Sequence, residues 1–296
     1  MKRLGLAVLA ACAPAPPRAV HFDGLTPGDH VAEGTAYHVL GAGPTCIVIS
    51  GGPGLDWHYL RSPELEKQLQ LVYLEPIGSG GSRRLGPGET YALARYAEQL
   101  EALREVLRLD KLCLIGHSHG GAIAARYAID HPERVATLVL YSAPSRMDKE
   151  FNDAGTKNLE RWRDAPWYED ARQAWDAPAK TDAEATALWP RAMKFLFEDY
   201  DANPEDYARA IVPVSAAPEL AEDKTPVDLR PELGAITART LVISAAADWC
   251  CGEKWAREYV AGIRGAQLET FSHSGHMAHL EEPEHFATAV GGFVRR

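Results

Sequence analysis

Gly116-His117-Ser118-His119-Gly120 follows directly on the apolar run Leu112-Cys113-Leu114-Ile115 and leads into Gly121 to Ala128, a stretch of mostly small, helix-compatible residues. Strand, tight turn and helix in that order constrain this chain more than any other feature. A serine at such a turn, a nucleophile elbow, sits in a strained backbone conformation, and the helix packs close only if its neighbours are small. Gly116 and Gly120 meet that need. The five-residue pattern alone turns up often by chance; the strand before it and the helix after it give it weight.

Elsewhere short apolar runs alternate with helical patterns, which predicts an α/β fold with a mostly parallel central sheet flanked by helices. His30 to Glu33 and Thr35 to Leu40, hinged at Gly34, read as an antiparallel pair at one edge. Thr45 to Ser50, Leu71 to Glu75, Leu112 to Ile115, Val135 to Tyr141, Thr240 to Ser244 and Gln267 to Phe271 read as strands. Leu93, Ala97, Leu100, Leu103 and Leu107 form a stripe at helical spacing that should lie on the sheet. After Ser145 the alternation stops. Residues 146–231 hold four of the seven tryptophans, Trp162, Trp167, Trp175 and Trp189, with expected helix breaks at Pro166, Pro178, Pro190 and Pro204. The segment reads as a helical cap inserted into a core formed by residues 22–145 and 232–296. Its aromatics either pack among themselves or wall a substrate pocket, and Trp162, Trp167, Trp189 and Glu205 are the candidates for the second role.

A formal charge of −10, from 31 basic and 41 acidic residues, disfavours nucleic acid and anionic membrane as partners, and no nucleic acid partner is expected. The five cysteines, Cys12, Cys46, Cys113, Cys250 and Cys251, have neither metal-ligand nor disulfide-framework spacing, so a reduced or cysteine-indifferent protein is expected. Lys2-Arg3 precede a short apolar run, and Leu9-Ala10-Ala11-Cys12 resembles a bacterial lipobox in which Cys12 would carry a lipid anchor. Only eleven residues precede that cysteine, fewer than a secretory signal usually has, and a disordered leader over residues 1–21 is the alternative. Cytoplasmic and cell-envelope locations both stay open. No other segment could span a bilayer.

A serine hydroxyl is a poor nucleophile unless a base and an orienting carboxylate accompany it. His276, in Ser272-His273-Ser274-Gly275-His276, follows the last expected strand, and Asp248 follows the strand before it. Gly51-Gly52-Pro53-Gly54 follows an apolar strand, where backbone N–H groups of Gly52 and of His119, next after the serine, would form an oxyanion hole. Pro53 has no N–H to give. His273, His276 and His279 are evenly spaced, yet no His-Glu-x-x-His pattern or cysteine ligand pair accompanies them, so neither a metal nor a cofactor is expected. No glycine-rich nucleotide motif occurs.

From about residue 24 to the C-terminus the chain resembles the α/β-hydrolase family, and within it the proline iminopeptidases. The likeness rests on the order Ser118, Asp248, His276, on Ser50-Gly51-Gly52-Pro53-Gly54, on Glu75-Pro76-Ile77-Gly78-Ser79-Gly80, and on Ser274-Gly275-His276 followed by Glu281-Glu282-Pro283. Those relatives generally carry His at the position of Ser50, Asp at Glu75, often Arg at Ile77, and Trp at His119. The resemblance implies acyl transfer to Ser118 from a small-molecule or short-peptide substrate, with His276 as base and Asp248 orienting it. An aminopeptidase would hold an ammonium group with carboxylates such as Glu198, Asp199, Asp201, Glu205 and Asp206, unless these only start a helix. A carboxylesterase or lactonase of the same fold, and a non-catalytic ligand-binding protein, are the alternatives.

Overall fold

The computed structural model describes residues 24–202 and 204–296, with the backbone alone at 205 and 206; the leader and Cys12 lie outside the described residues. An eight-stranded sheet runs through the molecule. Its strands are β1 (Gly28–Ala32), β2 (Thr35–Gly41), β3 (Thr45–Ile49), β4 (Gln70–Leu74), β5 (Leu112–His117), β6 (Val135–Tyr141), β7 (Arg239–Ala245) and β8 (Gln267–Phe271). The spatial order is β1-β2-β4-β3-β5-β6-β7-β8, with β1–β2 and β2–β4 antiparallel and the rest parallel. Glu33 and Gly34, with φ of 49° and 74°, close the β1–β2 hairpin, the backbone that two-residue hairpin turns favour.

Both faces of the sheet are covered, which is why its strands read as apolar runs without alternation. In β6, Val139 and Tyr141 enter one core with Phe286 and Phe293, while Leu138 and Leu140 enter the other with Leu100, Leu103 and Tyr127. Helix α1 (Leu93–Val106) presents the expected stripe to this second core. Each such side chain, fully buried, is worth roughly 1.5–3 kcal/mol. The second face also receives α2 (His119–Asp130), whose first turn carries Gly120, while Gly116, the other elbow glycine, lies in β5.

Between β6 and β7 the chain leaves the sheet through a two-residue antiparallel ribbon, Arg146–Met147 against Val227–Asp228. Helices α3 (Lys149–Asn158), α4 (Tyr168–Asp176) and α5 (Asp182–Ala192) lie inside that loop. Capping defines their starts: Asp148 accepts from Phe151 N–H and Thr181 from Glu184 N–H, bonds worth about 1 kcal/mol each. The break expected at Pro190 does not occur, for α5 runs through it. With only two helical residues beyond, the proline costs little of the helix that follows it. Helices α6 (Glu253–Gly262) and α7 (Pro283–Val294) complete the fold.

The cysteine expectation is corrected here. Cys46 and Cys113 form a disulfide across a sequence separation of 67, because β3 and β5 are neighbours in the sheet. Linear spacing carries no trace of that adjacency.

Candidate active site

Parallel strands bring their carboxyl ends to one edge of the sheet, and the loops there hold every candidate residue. Ser118 caps α2 with φ 54° and ψ −124°, a region that non-glycine residues rarely occupy. Close packing enforces this turn. A Cβ on Gly116 would stand 2.4 Å from Gly120 O, and one on Gly120 would stand 2.3 Å from Ile49 O. The flanking glycines are therefore needed for contact between backbones.

Asp248 and His276 meet as the sequence leads one to expect. His276 Nδ1 lies 2.9 Å from Asp248 Oδ2, and both side chains are buried. Burial disfavours charge on His276, but the Asp248 carboxylate outweighs it and holds the imidazole pKa well above the ordinary value. Asp248 is raised by burial and lowered by His276, with a net shift downward. Its other oxygen accepts from the backbone N–H groups of Cys250 and Cys251 at 3.1 and 3.0 Å. On the far side the insert grips the same loop: Asn158 Nδ2 donates to Trp249 O at 2.8 Å, and Arg161 to Ala247 O at 3.0 Å. The His276 loop is pinned likewise, through Gly275 N–H to Glu281 and the Ser274 hydroxyl to Glu282. The half-buried Glu281 carboxyl is pushed up to about 7 by burial.

Ser118, His276, Gly52 and His119 all face one cavity of about 720 Å³. Neither Gly52 N–H nor His119 N–H donates a hydrogen bond among the described residues. The latter opens α2, where the helix dipole adds positive potential. No hydrogen bond joins the Ser118 hydroxyl to His276 among the described residues; such contacts often tighten only when substrate binds. Burial raises the pKa of both Cys250 and Cys251. A hydroxyl, an imidazole with its carboxylate, and two open N–H donors around one cavity are the groups that acyl transfer requires.

Beneath them runs a network that the sequence reading missed. His117, kept neutral by burial and by His276 and His279, accepts at Nδ1 from the Tyr59 hydroxyl at 2.8 Å and donates from Nε2 to His276 O at 3.0 Å. Tyr59 in turn accepts from Gly51 N–H at 2.7 Å, and His279 Nε2 donates to Tyr59 O at 2.7 Å. Three loops of the site are thereby tied to one another. Its one sequence signal was the two-residue period of a strand, which puts His117 on the same face as Ile115.

The expected wall residues divide. Trp189 lines the cavity and donates to Ala210 O. Trp162 and Trp167 do not line it; they pack on Phe195, and Trp167 donates to Asp201. Trp175 and Trp249 take their place on the wall, beside Leu55, Leu159 and Val214. The side chain of Glu205 lies outside the described residues. Of the acids expected to hold an ammonium group, Asp201 serves Trp167, and Asp199 accepts from Asp201 N–H at 3.2 Å. Glu198 binds through its backbone to Glu281. The carboxylates that do line the cavity are Asp176, Glu219, Glu222 and Asp223, and Asp176 is paired with Arg172.

Residues 44–283 match the family described as the alpha/beta hydrolase fold. The chain is 27% identical to a 2-hydroxy-6-oxo-6-phenylhexa-2,4-dienoate hydrolase of Comamonas testosteroni, over 88% of this chain and 91% of that one. It is 26% identical to a proline iminopeptidase of Heyndrickxia coagulans, over 86% and 91%. Among solved structures, an enol-lactonase from Burkholderia xenovorans superposes with a TM-score of 0.69 at 21% identity, covering 90% of this chain and all of the other.

Proposed function

The chain belongs to the α/β-hydrolase family, and from that premise we propose that it is a serine hydrolase acting on esters or lactones with an apolar acyl group. One observation carries the reading: a serine at a positive-φ turn and a histidine paired with a buried carboxylate open onto the same aromatic-walled cavity. His276 takes the proton of Ser118 as the hydroxyl oxygen attacks the substrate carbonyl. The oxyanion that forms is held by Gly52 and His119 N–H groups, each worth roughly 3 kcal/mol in the transition state. His276 then protonates the departing alkoxide, and water, deprotonated by the same imidazole, releases the acid from Ser118. Asp248 fixes the imidazole tautomer and stabilises the imidazolium formed in each half.

An apolar acyl group suits Leu55, Leu159, Trp175, Trp189 and Trp249, which supply no charge to match. A second reading, an aminopeptidase, is favoured by the likeness to proline iminopeptidases and by Glu219, Glu222 and Asp223 on the cavity wall. The insert serves as the lid of the site in both readings. A fluorophosphonate probe is expected to label the native protein and to fail on Ser118→Ala; an unlabelled native protein would leave only the non-catalytic alternative. Comparison of p-nitrophenyl acyl esters with aminoacyl p-nitroanilides, prolyl included, then separates the two substrates. Turnover confined to the anilides would overturn the ester reading.

A further inference from the structure

Cys250 and Cys251 stand next to each other on the turn between Asp248 and α6, and the site described above makes no use of their thiols. Neighbouring side chains on an extended strand point to opposite sides. Here both backbone N–H groups bend in to Asp248 Oδ1, and the turn brings both sulfurs to the cavity wall. Their Sγ atoms are 3.4 Å apart, and Cys250 Sγ lies 3.6 Å from His276 Nδ1. One ligand atom from each of Cys250, Cys251 and His276 falls within 4.8 Å of the others. Tetrahedral zinc, with Zn–S of about 2.3 Å and Zn–N of about 2.0 Å, sets its sulfurs about 3.8 Å apart and sulfur and nitrogen about 3.6 Å apart. The three side chains thus stand close to the spacing of one soft cation's ligands, in reach of ions entering through the cavity.

We propose that Cys250, Cys251 and His276 form an inhibitory binding site for a soft divalent cation of the zinc class. On binding, the two thiols become thiolates and release two protons to solvent, and the neutral His276 imidazole moves its proton from Nδ1 to Nε2, so the local charge is unchanged and no oxidant or reductant is needed. Asp248 Oδ1, 3.4 Å from Cys250 Sγ, stands where a fourth ligand is wanted. The ion takes the Nδ1 position that His276 otherwise shares with Asp248. The hydrolase stops because its base is held in the wrong partnership. That consequence rests on the reading of Ser118, His276 and Asp248 as the catalytic groups; binding itself does not.

Cobalt(II) tests the binding without reference to activity, on the full-length chain carrying Cys12→Ser and stripped with a chelator. One Co²⁺ per chain with thiolate-to-cobalt charge-transfer absorption, displaced by Zn²⁺, is expected. The absorption should weaken in Cys250→Ser and in Cys251→Ser and vanish in the double variant, with folding checked by circular dichroism. Absence of the absorption in the parent, or its survival in a folded double variant, overturns the proposal. In parallel, Zn²⁺ should block fluorophosphonate labelling of Ser118 and EDTA restore it. Each serine variant, compared with its own metal-free rate, should need at least tenfold more Zn²⁺ for half-block. Labelling that saturating Zn²⁺ leaves untouched would overturn the inhibitory role, whereas a parent that never labels would overturn the hydrolase reading and leave the cobalt result to decide the site.

Discussion

Asp248 settles the working pH of His276 if the two act as a pair. The imidazole can take a proton only when neutral, and the carboxylate raises its pKa above the ordinary histidine value in spite of burial. The low-pH limb of kcat/KM should therefore rise above pH ~6.5, the unperturbed histidine value. In Asp248→Asn the limb should move to lower pH and kcat fall by about 10⁴-fold. A limb that stays in place in that variant would show that another group controls it. Both residues were legible in the sequence because each follows a recognisable strand by a few positions. His117 and its partners Tyr59, Tyr141 and His279 were not, since their contacts cross between loops separated by scores of residues. Cys250 and Cys251 show no ligand spacing in the sequence, because only the bend around Asp248 brings them to His276.

The elbow is an agreement between a strand and a helix, and its glycines enforce that agreement. In Gly120→Ala the new methyl would lie 2.3 Å from Ile49 O and 2.6 Å from Ser50 O. Both contacts are backbone, so β3 and α2 must part. Overpacking of this kind costs about 1–3 kcal/mol, and a lower denaturant midpoint with unchanged slope, whose product with the slope gives a loss of that size, is the expected outcome. Stability equal to the parent would mean that the strand and helix adjust freely. Local order made this element readable from sequence: apolar run, serine turn and small-residue helix are contiguous. The insert was harder to read, because its tryptophans give no sign of which ring faces inward. Trp162 and Trp167 turn to Phe195, while Trp175 reaches Trp249 at 5.1 Å.

At the scale of the whole molecule, the strand order could be anticipated as mostly parallel, but the pairing of Cys46 with Cys113 depends on which strands end up side by side. Closing a loop of 67 residues in the unfolded chain is worth about 4 kcal/mol in the chain-entropy view. Cys46→Ala/Cys113→Ala should lose stability of that order in denaturant titration, and a variant as stable as the parent would show that packing alone holds β3 to β5. The ribbon of Arg146–Met147 with Val227–Asp228 has a different implication. Because the insert departs and returns at one point, replacing it would leave the sheet's connectivity intact. Yet Asn158 and Arg161 grip the carbonyls on either side of Asp248. A transplanted insert would keep the Asp248 loop in place only if it also brought two donors to those carbonyls, so exchange of this part between proteins is constrained less by its ends than by what it holds in the middle.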